Sequence, residues 1–286
     1  MSRTSTKGGG GRKLLCVFVN DENRVPLDGY VPWRQKMKKT LLISGVLLAL
    51  AASTAMAGGV NMSWTACGAS GAANRTFLCN NNTGAGTTSS APAGENILVV
   101  SYQPNFGVPD MAGNDVRIDL QSADATTLNQ WWQLFNAGSC RSSQPSVDVA
   151  GFQGTCTNFW AGQAAGGGGV GSYTINGNKA ALLIAWATPE AGPVDNLTEY
   201  YSVNVRITDT KTVGSPSCTG CLTGVCLVCN VVSLSYGPSA ALVQKIETPL
   251  VRNFVTWQGG AIAAPGCPAA VPTQNRTWGQ VKSLYR

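Results

Sequence analysis

The chain reads as an all-β protein, an antiparallel β-sandwich or jelly-roll stapled by disulfides. Three observations predict that class. Short apolar/polar alternations recur between clusters of Gly, Ser, Thr and Asn, which act as turn formers. Charged residues are only 12% of the 286, a composition suited to short strands in an extracellular setting. No long stretch carries a helical period capped at both ends.

The elements follow in order. Val60-Asn-Met-Ser-Trp64 alternates as a half-buried strand should, and Asn80 to Pro92 reads as a loop. Ile97–Tyr102 is a strand stopped by Pro104. Asp115–Leu120 places Val116, Ile118 and Leu120 on one face and Asp115, Arg117 and Asp119 on the other, a solvated charge ladder. Leu128–Phe135 is an aromatic segment that either plugs the core or offers Trp131 and Trp132 as a stacking platform for a sugar. Gly166 to Gly169 lie in a stretch, Ala161–Asn178, that reads as a surface loop or linker. This run lacks the Lys-Ser/Thr ending of a phosphate loop. Lys179–Trp186 is a continuous apolar run, expected to be a strand buried on both faces and ended by a turn at Pro189–Pro193. Tyr201–Thr208 alternates most clearly, and Val225–Leu234, Leu242–Ile246 and Leu250–Trp257 complete about eight to ten strands.

The first 57 residues carry a different signal. Met37-Lys38-Lys39 is a basic start, Leu41–Ala52 an apolar core, and Ala55-Met56-Ala57 a small-x-small cleavage site, the three parts of a secretory signal. The core is too short for a membrane span, so no transmembrane anchor is expected in the mature chain. Residues 1–36 fit neither a signal nor a fold and read as a disordered, non-native extension, with translation starting at Met37. The expected organisation is therefore a signal peptide at 37–57 and one β-sandwich domain at 58–286 with a C-terminal tail at 276–286. Residues 1–57 hold nine of the 20 basic and three of the 14 acidic side chains, leaving 11 of each in the rest. That formal neutrality excludes a nucleic-acid partner, which needs clustered Lys/Arg.

Past the signal lie nine cysteines: Cys67, Cys79, Cys140, Cys156, Cys218, Cys221, Cys226, Cys229 and Cys267. An exported chain pairs them, and an odd number leaves one over. Local loops suggest Cys67–Cys79 and Cys140–Cys156. In a strand over Val225–Leu234, Cys226 and Cys229 are three apart and face opposite ways, which makes Cys229 the free, buried thiol and leaves Cys218, Cys221, Cys226 and Cys267 to pair. A zinc knuckle at Cys218-x2-Cys221-x4-Cys226-x2-Cys229 is disfavoured, because four residues between the pairs fall far short of ribbon spacing.

Histidine is absent, which removes Ser-His-Asp triads, Cys-His pairs and HExxH sites. Two carboxylates could still make a glycosidase, but Asp119, Asp124, Asp148, Glu190 and Glu199 are scattered and no catalytic residue is assigned. Asp110, Asn114 and Asp115 have calcium-type oxygens without EF-hand spacing, so no metal and no cofactor is assigned. Sequons at Asn61, Asn74, Asn81, Asn196 and Asn275 mark expected exposed loops.

From Met37 onward, Ile118-Asp-Leu-Gln-Ser122 with Trp131-Trp132, Ala191-Gly-Pro-Val-Asp195 with Glu199-Tyr-Tyr201, and Arg276-Thr-Trp-Gly-Gln-Val-Lys-Ser-Leu-Tyr-Arg286 carry a likeness. On these residues the chain resembles a group of uncharacterised exported cysteine-containing proteins of Gram-negative bacteria. The resemblance implies export to the periplasm, the cell surface or the medium, and an apolar residue where Cys229 stands. It implies no activity. The expectation is a non-enzymatic β-sandwich with a structural or interaction role, its partner a glycan or another surface protein. The alternatives are a carbohydrate-binding module and a carboxylate-pair glycoside hydrolase.

Overall fold

A computed structural model describes residues 58–83, 94–150, 154–162, 166–237 and 241–260. The leader, Cys267, Asn275, Trp278 and the C-terminal tail lie outside them. Among the described residues the protein is all-β, with eleven strands and no α-helix.

The strands are β1 (Gly59–Trp64), β2 (Asn74–Arg75), β3 (Glu95–Gln103), β4 (Val108–Ser122), β5 (Ser146–Asp148), β6 (Gly167–Asn176), β7 (Lys179–Val194), β8 (Tyr200–Thr208), β9 (Val225–Tyr236), β10 (Leu242–Ile246) and β11 (Phe254–Trp257). One sheet runs β1-β3-β8-β5; the other runs β2-β11-β9-β4-β7-β6, with β10 also on β9. All pairings are antiparallel except β2 with β11.

Period-2 alternation builds the core between the sheets. Met62 and Trp64 of β1, Leu98, Val100 and Tyr102 of β3, and Val203, Val205 and Ile207 of β8 meet Val116, Ile118 and Leu120 of β4, Leu182 and Ile184 of β7, and Val225, Leu227 and Cys229 of β9. A smaller cluster lies on the other face of the first sheet, where Ile97, Val99 and Tyr201 pack against Trp160 and the Cys67 and Cys156 side chains. In the β3–β8 ladder the register skips Ser202, and the Trp160 indole donates to its carbonyl at 2.8 Å. β9 carries a bulge too: its register to β4 skips Asn230. Val225, Leu227 and Cys229 point inward before it, and Val232 and Leu234 after it.

Several expectations are corrected. The Gly166–Gly169 stretch is not a loop or linker: Gly167 to Gly169 open edge strand β6, paired with β7. β7 is not buried on both faces but alternates, with Leu183 44% exposed, because its outer face has no layer above it among the described residues. It also continues through Pro189 and Pro193 to Val194, held loosely on β4 through Met111–Gly192 and Val108–Val194. Of Leu250–Trp257 only β11 belongs to the sheet; residues 248–252 bind the outer edge of β1 instead.

Candidate functional site

The densest chemistry sits at one end of the sandwich, where the loop before β9 meets the aromatic segment. Gln130–Trp132 is a single 3₁₀ turn with both tryptophans fully buried. Trp131 stacks on Trp257 (centroids 4.8 Å, 24°), and Trp132 meets both edge-on. The indole N–H groups of Trp131 and Trp257 donate to Thr212 Oγ1 at 3.1 Å and to Cys221 O at 2.7 Å. Enclosed on all sides, neither Trp131 nor Trp132 offers a face to a sugar. Their ligand-stacking role is withdrawn, and their role is to fill the core. Trp160 is buried as well.

Beside them lies a buried ionic cluster that sequence reading missed. Arg141 sits 3.8 Å over the Trp131 ring and donates to Trp131 O at 3.1 Å and to Thr208 O. Asn96 donates to Asp209 Oδ1 at 2.7 Å and accepts from Arg75 Nε at 2.7 Å. Burial pushes the Asp209 carboxyl above the usual carboxylate range, although Asn96, Arg75 and Arg141 all pull the other way. Burial likewise lowers Arg141 to about 10. Arg75 Nη2, Arg141 Nε and Asp209 Oδ2 have no protein partner. No local signal marks these residues: Asp209 follows a strand as any turn aspartate does, and Arg75 and Arg141 flank loops.

Three disulfides are present among the described residues: Cys67–Cys156, Cys79–Cys221 and Cys140–Cys218. The local pairings Cys67–Cys79 and Cys140–Cys156 are therefore wrong. Cys67 opens toward the Trp160 loop outside the first sheet, whereas Cys79 and Cys140 pack on the main core beside Cys218 and Cys221. The bridges join segments 89, 142 and 78 residues apart. Cys226 is also disulfide-bonded, on the outer face of β9 with Val228 and Phe254. Cys229 is a free, buried cysteine, its thiol pushed up to about 12 by burial.

The carboxylates considered for catalysis stand apart. Asp119 holds Arg117 at 3.1 Å and accepts from Asn230. Asp124 caps its own loop through Thr126 N at 3.1 Å, and these backbone donors hold its carboxyl below the usual range. Asp148 and Glu95 share Arg206 across β5, β8 and β3, so both are held by the one guanidinium between them. Glu190 is exposed on β7. Glu199 accepts from Asn61 at 2.7 Å and Ser101 at 2.6 Å. Cys67, Cys156 and Glu199 place ligand-type atoms within 4.8 Å of one another, but both sulfurs are consumed in a disulfide. The calcium reading fails on strand alternation: Asn114 is buried and donates to Ser202 Oγ at 3.1 Å, while Asp115 is exposed. Asn61 is buried in β1 and holds Val251 N, Arg252 N and Glu199, so that sequon is no exposed loop.

No protein family, curated protein or solved structure matches this chain.

Proposed function

We propose that this is an exported, disulfide-stapled β-sandwich that acts outside the cytoplasm by binding or assembly rather than by catalysis. The observation that carries this reading is the set of three disulfides between distant segments, since such bonds form and persist in oxidising compartments and are rare in the cytosol. The leader pattern supports it independently. The polar groups that a hydrolase or sugar-binding module would display are engaged elsewhere: Asp119, Asp148 and Glu199 in local pairs, Trp131 and Trp132 in the core. Among the described residues no helix is long and apolar enough to cross a membrane.

The test is to express the full chain in a Gram-negative host, fractionate the cells and sequence the N-terminus of the oxidised product. The expected result is an exported protein beginning at Gly58 with its disulfides formed. Recovery in the cytosol with residues 1–57 attached and all thiols reduced would overturn the reading.

A further inference from the structure

The small apolar cluster outside the first sheet holds a carboxylate beside its disulfide. Glu199, the residue before β8, stands against Cys67 and Cys156, with a carboxylate oxygen and both sulfurs within 4.8 Å of one another. Its Oε1 accepts from Asn61 Nδ2 at 2.7 Å and from Ser101 Oγ at 2.6 Å. Asn61 is fixed in turn, its Oδ1 accepting from Val251 N and Arg252 N. Among the described residues Oε2 accepts no hydrogen bond. That oxygen lies over the residue after Cys67: Gly68 has φ 71°, and a Cβ there would come 3.1 Å from Oε2. A structural disulfide does not call for a carboxylate at this point, since its sulfurs carry no proton to donate.

Backbone bonds that do not depend on the S–S bond tie the three segments together. Cys67 bridges Gly154 in a parallel pair. Thr157 N donates to Glu199 O at 2.9 Å, and Tyr201 N to Thr157 O at 2.9 Å. Ser70 Oγ donates to Cys67 O at 2.8 Å. Once opened, the two thiols therefore stay side by side against Glu199. Ile97, Val99, Tyr201 and Trp160 enclose them, and half-exposed Glu199 forms the side open to solvent. An apolar shell around thiolates and a hydrogen-bonded carboxylate is the setting that holds and tunes a metal ion.

We infer that the reduced form of this pair is a metal site: Cys67 Sγ, Cys156 Sγ and Glu199 Oε2 bind one Zn²⁺, and ion and disulfide exclude each other. Two thiolates and a carboxylate suit a borderline-soft ion with tetrahedral preference. Zn–S bonds of ~2.3 Å and Zn–O bonds of ~2.0–2.2 Å place tetrahedral ligand atoms about 3.5–3.8 Å apart, inside the observed envelope. The Cα atoms of the pair are 5.9 Å apart, so rotation about χ1 of each cysteine supplies that spacing. Three protein ligands leave the fourth position to water on the Glu199 side. Opening the bridge takes two electrons and two protons from a dithiol reductant, which leaves as its own disulfide. Zn²⁺ then displaces both thiol protons to solvent. Among the described residues no acidic side chain completes such a group at Cys79–Cys221 or Cys140–Cys218.

The experiment opens the purified oxidised protein with a water-soluble phosphine in the absence of oxygen and titrates it with Zn²⁺. One ion per chain should bind, and mass mapping should find Cys67 and Cys156 shielded from iodoacetamide while Cys79, Cys140, Cys218 and Cys221 react. Co²⁺ in place of Zn²⁺ should give a thiolate-to-metal charge-transfer band, absent from the unreduced protein. Glu199→Gln keeps an oxygen for Asn61 and Ser101 and should weaken Zn²⁺ binding by about ten-fold or more. Circular dichroism follows the fold at each step. Alkylation of Cys67 and Cys156 at the same rate with and without Zn²⁺ overturns the inference, as does E199Q binding as tightly as wild type. So does a reduced protein that loses its β signal and fails to regain it with Zn²⁺.

Discussion

Cys229 lies on the inner face of β9 with its thiol about 12 in pKa because water is excluded, whereas an unfolded thiol titrates near ~8.5. Between those values the folded protein keeps a proton that the unfolded chain has lost. Stability is therefore unaffected below about pH 8.5 and falls as pH rises, by about 1.4 kcal/mol per unit. Cys229→Val removes the group while keeping the strand apolar. The gap in urea stability between wild type and C229V should move by about 2 kcal/mol against wild type from pH 8.5 to 10; a constant gap would show that the thiol is not enclosed. Arg141 offers a second residue-scale test. Its planar fork reaches Trp131 O and Thr208 O while its face covers the Trp131 ring, a geometry lysine cannot reproduce. Arg141→Lys should cost about 2–3 kcal/mol, read from denaturation followed by tryptophan fluorescence. The two residues differ in legibility. A cysteine inside Leu-Val-Cys-Asn-Val-Val announces an apolar site by its neighbours. Arg141 and its neighbour Asp209 sit in polar loop sequence, and part of their enclosure comes from distant segments, Thr208 for Arg141 and Asn96 for Asp209.

At the scale of elements, alternation marks β1, β3, β4 and β8 because each turns one face to the core. Where it was misread, the cause is local. The Lys179–Trp186 run looks buried throughout because its outward positions are Ala181, Leu183 and Ala185, small or apolar residues on an exposed face. The β6 glycines look like a loop because sequence shows backbone freedom, not the ladder that removes it. Single substitutions separate the two kinds of glycine in that strand. At Gly168 a methyl group would strike Ala185 O and the Trp186 backbone, so Gly168→Ala should destabilise by about 2 kcal/mol through a forced backbone shift. At Gly169 the space is open and the backbone extended, so Gly169→Ala should stabilise the fold by about 0.5 kcal/mol through the unfolded chain. Thermal unfolding of the two variants side by side should show shifts of opposite sign. Equal losses would mean that both glycines are packed within the chain.

For the whole molecule, what sequence left open was chiefly connectivity. Composition and alternation specify a sandwich, but which cysteines meet depends on where loops emerge at the ends of two sheets, and chain proximity misleads there. Removing Cys79–Cys221 by double alanine substitution releases a 142-residue closure and should cost about 2–5 kcal/mol, seen as a lowered guanidinium midpoint. The last bridge can be argued by elimination. Three pairs use six cysteines, Cys229 is free, and Cys226 is bonded to a cysteine outside the described residues. The sequence leaves Cys16 and Cys267 as the remaining cysteines. If the leader is removed before oxidation, as the signal pattern predicts, Cys16 is never available in the same compartment and Cys226 must take Cys267. Cys226 clusters with Val228 and Phe254, apart from the main core. Mass mapping of unreduced peptides should therefore find Cys226 joined to Cys267 and an unmodified Cys229 that reacts with iodoacetamide only after denaturation. A Cys16–Cys226 peptide instead would mean that the leader stays on the exported protein, and would overturn the processing proposal together with the pairing.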